Sequence, residues 1–65
     1  MIKRIKFNND YIFIEERGGF YFPYLDRDCY KLGIVSSGLL RMVDQKGLKK
    51  AYESGELKSI SSKGE

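Results

Sequence analysis

Glu15-Glu16 and Asp26/Asp28 are the neighbouring carboxylates with which this 65-residue chain could do acid–base chemistry, and Cys29 is its single thiol. Both carboxylate pairs adjoin turn-forming residues or strand ends, where solvated charge is the ordinary outcome. The chain has no histidine, so the commonest general base and metal ligand is missing. Cys29 therefore lacks the partner that a catalytic thiolate uses. A lone cysteine also forbids an internal disulfide, which suits a reducing, intracellular setting and a small buried thiol. These residues set catalysis, metals and cofactors aside. The expectation is a non-enzymatic cytoplasmic protein with no small-molecule substrate.

Two further stretches bear on ligands. "GIVSSGLL", residues 33–40, would lead a strand through Ser36-Ser37-Gly38 into a helix, and free N–H groups at such a junction attract anions. Gly33 and Gly38 even have the spacing of a phosphate-binding loop. Leu39 and Leu40 stand where that loop needs Lys and Ser/Thr, so the stretch reads as a Ser helix cap. The basic residues form two groups, Lys3, Arg4 and Lys6 near the start and Lys46, Lys49 and Lys50 further on. A net charge of +3, from 12 basic and 9 acidic side chains, is too mild to name a partner by itself.

The elements that must position these residues follow from hydrophobic period. "IKRIKF" alternates, "NND" turns, and "YIFIEE" is rich in β-branched and aromatic residues, as strands are. Gly18-Gly19 supplies the positive φ of a tight hairpin, and "FYFPYL" returns as a third strand. Pro23 cannot donate to a ladder, which places that strand at an edge. "DRD" punctuates, and Tyr30, Leu32 and Ile34 alternate in "CYKLGIV", a candidate fourth strand. From Ser36 the period becomes helical. Leu39, Leu40 and Val43 share one stripe, and Leu48, Ala51 and Tyr52 another. The step from Val43 to Leu48 turns by about 140°, so one straight helix cannot aim both at one core. Two short helices, or one broken at Gly47, are expected, with Gly55 ending the second. The fold class is α+β: a three- to four-stranded antiparallel meander followed by two short C-terminal helices. Residues 1–58 form one compact domain in this reading, and 59–65 ("SISSKGE") a flexible polar tail. No apolar run approaches the roughly 18 residues of a membrane span, and "MIKRIKF" lacks a secretory core, so no membrane partner is expected.

Face assignment then raises the functional question. With tight turns at Asn9-Asp10 and Gly18-Gly19, one sheet face carries Ile5, Phe7, Ile12, Ile14, Tyr21, Pro23 and Leu25, which suits the helices. The other carries Ile2, Arg4, Lys6, Tyr11, Phe13, Glu15, Phe20, Phe22 and Tyr24. Five aromatics with no obvious cover mark an interaction surface. The leading expectation is a small regulatory or interaction protein, homodimeric through Tyr11, Phe13, Phe20, Phe22 and Tyr24.

The alternative is a nucleic-acid-binding regulator. Aromatics interleaved with cations on a sheet can stack single-stranded bases. A helix, a break and a second helix can instead enter duplex DNA, with Lys46, Lys49 and Lys50 as the contacts. "AYESGELKSI", residues 51–60, resembles the close of a recognition helix entering a wing in excisionase-type DNA-binding domains. That resemblance implies DNA as the partner.

Overall fold

The computed structural model describes residues 1–57, so the tail expected over 59–65 lies outside the described residues. The fold is α+β, a four-stranded mixed sheet with three helices. Strands β1 (Ile2–Phe7), β2 (Asp10–Arg17) and β3 (Phe20–Tyr24) form the antiparallel meander. Helices α1 (Arg27–Leu32), α2 (Ser37–Met42) and α3 (Gln45–Ser54) follow, then strand β4 (Glu56–Leu57). The spatial order is β3-β2-β1-β4, and β4 runs parallel to β1 beside Lys6 and Phe7.

Gly18 and Gly19 take φ of 60° and 87°, and Arg17 faces Phe20 as a two-residue turn requires. The first hairpin turns one residue earlier than expected. Asn8, at φ 56°, opens the turn, and Asn tolerates that region better than most residues. Phe7 therefore faces Asp10 and Ile5 faces Ile12, a shift of two positions. An even shift keeps every side chain on its expected face.

The fourth strand is not where alternation placed it. Residues 27–32 are helical because Asp26, extended at φ −154°, accepts a 2.8 Å hydrogen bond from the Cys29 N–H on its Oδ1. Asp28 in the first turn and Lys31 in the last suit the helix dipole, and Gly33 closes the C-terminus. "DRD" thus starts a helix as well as ending a strand. The true fourth strand comes after α3, and its parallel pairing makes the sheet mixed.

The helix break also differs from expectation. It falls at Val43-Asp44, where Val43 is extended (φ −133°, ψ 127°) and Asp44 Oδ1 accepts from the Gly47 N–H at 2.8 Å. Gly47 lies inside the first turn of α3. A Cβ there would stand 2.5 Å from Cγ1 of the buried Val43, so glycine permits the close approach of the two helices. Ordinarily Gly→Ala inside a helix gains up to about 1 kcal/mol. Here Gly47→Ala should instead destabilise by roughly 1–2 kcal/mol, through overpacking against Val43. Urea melts check this by making Gly47→Ala in the wild type and in a Val43→Ala background, where the side chain it strikes is gone and the added methyl should cost little or nothing.

One core results. Ile5, Ile12 and Ile14 from the sheet meet Leu39 and Val43 around α2, Leu48 and Ala51 from α3, and Leu57 from β4. Leu40, expected in the same stripe, is largely exposed, because a six-residue helix aims Leu39 and Val43 inward and turns Leu40 away.

The β3 edge is closed by side chain and linker. Gln45, at the start of α3, pairs its amide with Tyr21 in both directions: the Tyr21 N–H donates to Oε1 and Nε2 donates to the Tyr21 carbonyl, both at 2.8 Å. Pro23 has no N–H, and its carbonyl accepts from the Ser36 N–H at 2.8 Å. Every outward backbone group from Tyr21 to Pro23 is thereby occupied or absent.

Candidate functional site

Two surfaces lie on opposite sides of the sheet. Helices α2 and α3 pack on the aliphatic face, while α1 folds against the end of the aromatic one. Tyr30 of α1 meets Tyr24 edge to face at 5.3 Å, and Tyr24 is only 2% exposed. Tyr24, expected to be part of an open interface, is thus covered by its own chain, by a segment whose alternation suggested a strand. The last helix, α3, packs on the other side of the sheet.

The remaining aromatics on that face are overlaid by arginines. The Arg4 guanidinium lies 4.4 Å from the Tyr11 ring centre, Arg17 lies 5.2 Å from Phe22, and Arg27 lies 5.8 Å from Phe13. Each such stack contributes about 0.5–1 kcal/mol where solvent reaches it. Phe13 and Phe22 are half-buried beneath these groups, whereas Tyr11 and Phe20 are well exposed. Arg17 also donates to Glu15 at 2.8 Å, and the Tyr24 hydroxyl donates to the same carboxylate oxygen at 3.0 Å. The face therefore presents Arg4, Lys6, Arg17 and Arg27 against Glu15 and Glu56.

The Glu15 group sets a pH response. Hydrogen bonding from Arg17, with a smaller contribution from Tyr24, holds the Glu15 carboxyl below its ordinary 4.5. Burial, then the hydrogen bond to Glu15, raises the Tyr24 phenol above its ordinary 10.0. A lowered carboxyl stabilises the fold above its unfolded value, and that stability is lost as pH falls through the folded value. A raised phenol stabilises below its unfolded value and loses that contribution as pH rises through the folded one. Denaturant midpoints followed with pH should therefore fall at both extremes. Glu15→Gln should flatten the acid limb and Tyr24→Phe the alkaline limb.

On the other side, α3 buries Leu48 and Ala51 and turns Lys46, Lys49 and Lys50 to solvent. Lys46 and Lys50 are one turn apart, with Lys49 beside them, so the three ammonium groups share one face. Among the described residues the Arg17–Glu15 contact is the one ion pair, and none of the three lysines has a carboxylate partner there. The helix is held at both ends, by the Gln45–Tyr21 amide pair and by Gly55, whose N–H donates to Ala51 at 2.7 Å. The chain then enters β4 directly. A helix, a left-handed glycine and a strand are what "AYESGEL" implied, but Glu56 and Leu57 pair with β1.

The Ser36 to Gly38 stretch works as a cap. Ser36 Oγ accepts from the Leu39 N–H at 3.2 Å, and the Ser36 hydroxyl is buried. Cys29 is half-buried rather than in the core, and its hydrogen bond with Asp26 raises the thiol above its ordinary value, which keeps it protonated. Arg17 and Arg27 are the site residues that sequence reasoning passed over. Arg17 could have been found from its position opposite Phe20 in the tight hairpin, but Arg27 depended on recognising α1.

No family model matches the chain, and no curated protein or solved structure matches it.

Proposed function

We propose that this is a small, non-enzymatic, cytoplasmic DNA-binding regulator that lays α3 against duplex DNA. The observation that supports it most is Lys46, Lys49 and Lys50, in no ion pair among the described residues, on the outward face of a helix fixed at both ends. Helix α2 and the Val43-Asp44 turn precede it as a first helix precedes a groove-entering one. Lysines so placed would neutralise phosphates and release counterions. Arg41, exposed in the last turn of α2, would add to the same field.

The aromatic face suits a second copy less well than its sequence suggested. Face-to-face packing would set four cations and only two carboxylates, Glu15 and Glu56, of one protomer against the same set of the other, an excess of like charge. That arrangement favours an anionic partner instead. The three arginine–ring stacks support a second reading, in which single-stranded bases stack on Tyr11 and Phe20.

Fluorescence anisotropy with a labelled generic duplex and a labelled single strand, each titrated across salt concentrations, tests both. The duplex reading expects tighter duplex binding, with a slope in log salt of about −2.7 for three phosphate contacts. Tighter single-strand binding would transfer the function to the sheet face. No binding of either at low salt would remove nucleic acid as the partner.

A further inference from the structure

The two edges of the sheet are not alike. Gln45, Pro23 and Ser36 close the β3 edge, whereas β1 is covered along only part of its length. Met1 and Glu16 exchange both backbone hydrogen bonds, at 2.9 and 2.8 Å, so Met1, Lys3, Ile5 and Phe7 direct their N–H and C=O groups at β2. Those of Ile2, Arg4 and Lys6 point the other way, and the Lys6 N–H donates to the Gly55 carbonyl at 3.0 Å. Strand β4 pairs with Lys6 and Phe7 alone and runs away from Ile2 and Arg4. Among the described residues no strand or loop takes up the outward N–H and C=O groups of those two. Four backbone groups in a row are a template for an added strand.

We infer that the Ile2–Arg4 edge takes an extended segment of a partner protein carrying two consecutive carboxylates. The charges that select it stand on the edge itself, one on each face of the sheet. On the helix side Lys3 Nζ lies 4.5 Å from the Tyr52 ring centre and donates to the Tyr52 carbonyl at 3.5 Å. On the aromatic side Arg4 lies over Tyr11. Neither cation is in an ion pair among the described residues, and Glu15, which faces Ile2 from β2, is held by Arg17 and Tyr24. Successive residues of a strand fall on opposite faces, so an acid opposite Lys3 and an acid opposite Arg4 must be neighbours. The occupied part of the edge already follows this pattern. There β4 sets Glu56 opposite Lys6 and Leu57 opposite Phe7. An antiparallel strand, the slightly more stable arrangement, would read acid, acid, apolar opposite Arg4, Lys3 and Ile2. A second copy of β1 fits badly, because the register that uses both Ile2 and Arg4 sets Lys3 directly against Lys3. The contact does not rest on DNA binding.

Fluorescence anisotropy of the whole protein with a labelled peptide, Thr-Glu-Glu-Val-Thr, tests this. Binding should saturate with a dissociation constant below about 1 mM, and the Lys-Lys-Val counterpart should not bind. Methylating the valine nitrogen, which would face Ile2, should weaken binding by about tenfold. Methylating the second glutamate nitrogen, whose N–H would point away from β1, should change it by less than about twofold. The double variant Lys3→Glu/Arg4→Glu should exchange the preference, taking the Lys-Lys-Val peptide and refusing the acidic one. If that variant misfolds, the methylated peptides on the wild type decide. Amide exchange locates the contact: the Ile2 and Arg4 N–H groups should exchange fast in the free protein and slowly with peptide bound. No saturation below about 1 mM, or equal loss from the two methylations, would overturn the inference. So would Ile2 and Arg4 amides already protected in the free protein at twice the 7.5 kDa protomer mass, which would give the edge to a second copy.

Discussion

Replacing Lys46, Lys49 and Lys50 together by glutamine should lower affinity for generic duplex DNA by about 500-fold at 0.1 M salt. The figure follows from counterion release at about 0.9 per phosphate contact. Three contacts contribute 2.7 decades of affinity for each decade of salt below 1 M. The salt slope should flatten by the same 2.7, and this second readout matters more than the first. A variant that merely distorted α3 would lose affinity without a matching change in slope for each lysine removed. Glutamine keeps the length and much of the helix preference of lysine, so the fold should be unaffected. Arg4→Gln and Arg17→Gln, on the opposite side of the sheet, should leave duplex binding nearly unchanged. If those two abolish binding and the lysine variant does not, the duplex reading fails.

Leu48→Ala carries the largest expected loss of stability. Leu48 is fully buried, at the point where α3 crosses the three isoleucines of the sheet. Truncating such a leucine costs about 2–5 kcal/mol, depending on how far the surroundings close over the cavity. A chain of 65 residues has a total stability of only about 3–10 kcal/mol. The substitution should therefore lower the thermal midpoint by about 8 °C or more, since each kcal/mol is worth about 4–8 °C in a domain of this size. It should also weaken duplex binding in proportion to the unfolded fraction, because the lysines are positioned by the packing of Leu48 beneath them. A midpoint within a few degrees of wild type would mean that α3 is not docked as described. Leu40→Ala, at an exposed position two turns earlier, serves as the contrast and should be nearly neutral.

The parts of this fold that were legible in the sequence are those governed by local chemistry. Gly18-Gly19 could hardly be anything but a tight turn, and it fixed the register of Phe13 against Tyr24 and of Glu15 against Phe22. Face assignment survived an error in the first turn because an even slip leaves the pleat in phase. Pro23 announced an edge strand. What stayed hidden depended on competition between signals. Tyr30, Leu32 and Ile34 alternate as a strand would, yet the Asp26 cap and Asp28 outweighed that alternation and made a helix. Gly47 looked like a helix breaker because its meaning lay in a neighbour, Val43, four residues away across a turn. Strand β4 is two residues long, too short for any period to show. The candidate site was half visible. Lys46, Lys49 and Lys50 were evident as a group, and their common face needed only the helix. The arginines over the aromatic rings were not evident, since cation–ring stacking depends on which long side chains lie down and which extend.

The closed margin at β3 limits how this protein can misassemble. Fibril growth by strand addition needs two free margins on every subunit, one to receive a neighbour and one to offer to the next. With Gln45, Pro23 and the Ser36 N–H occupying one side, recruitment through the β1 side could join two molecules but could not propagate a chain. A sequence dense in isoleucine and tyrosine is in this way kept from becoming a polymer by one glutamine amide, one imino acid and one linker N–H.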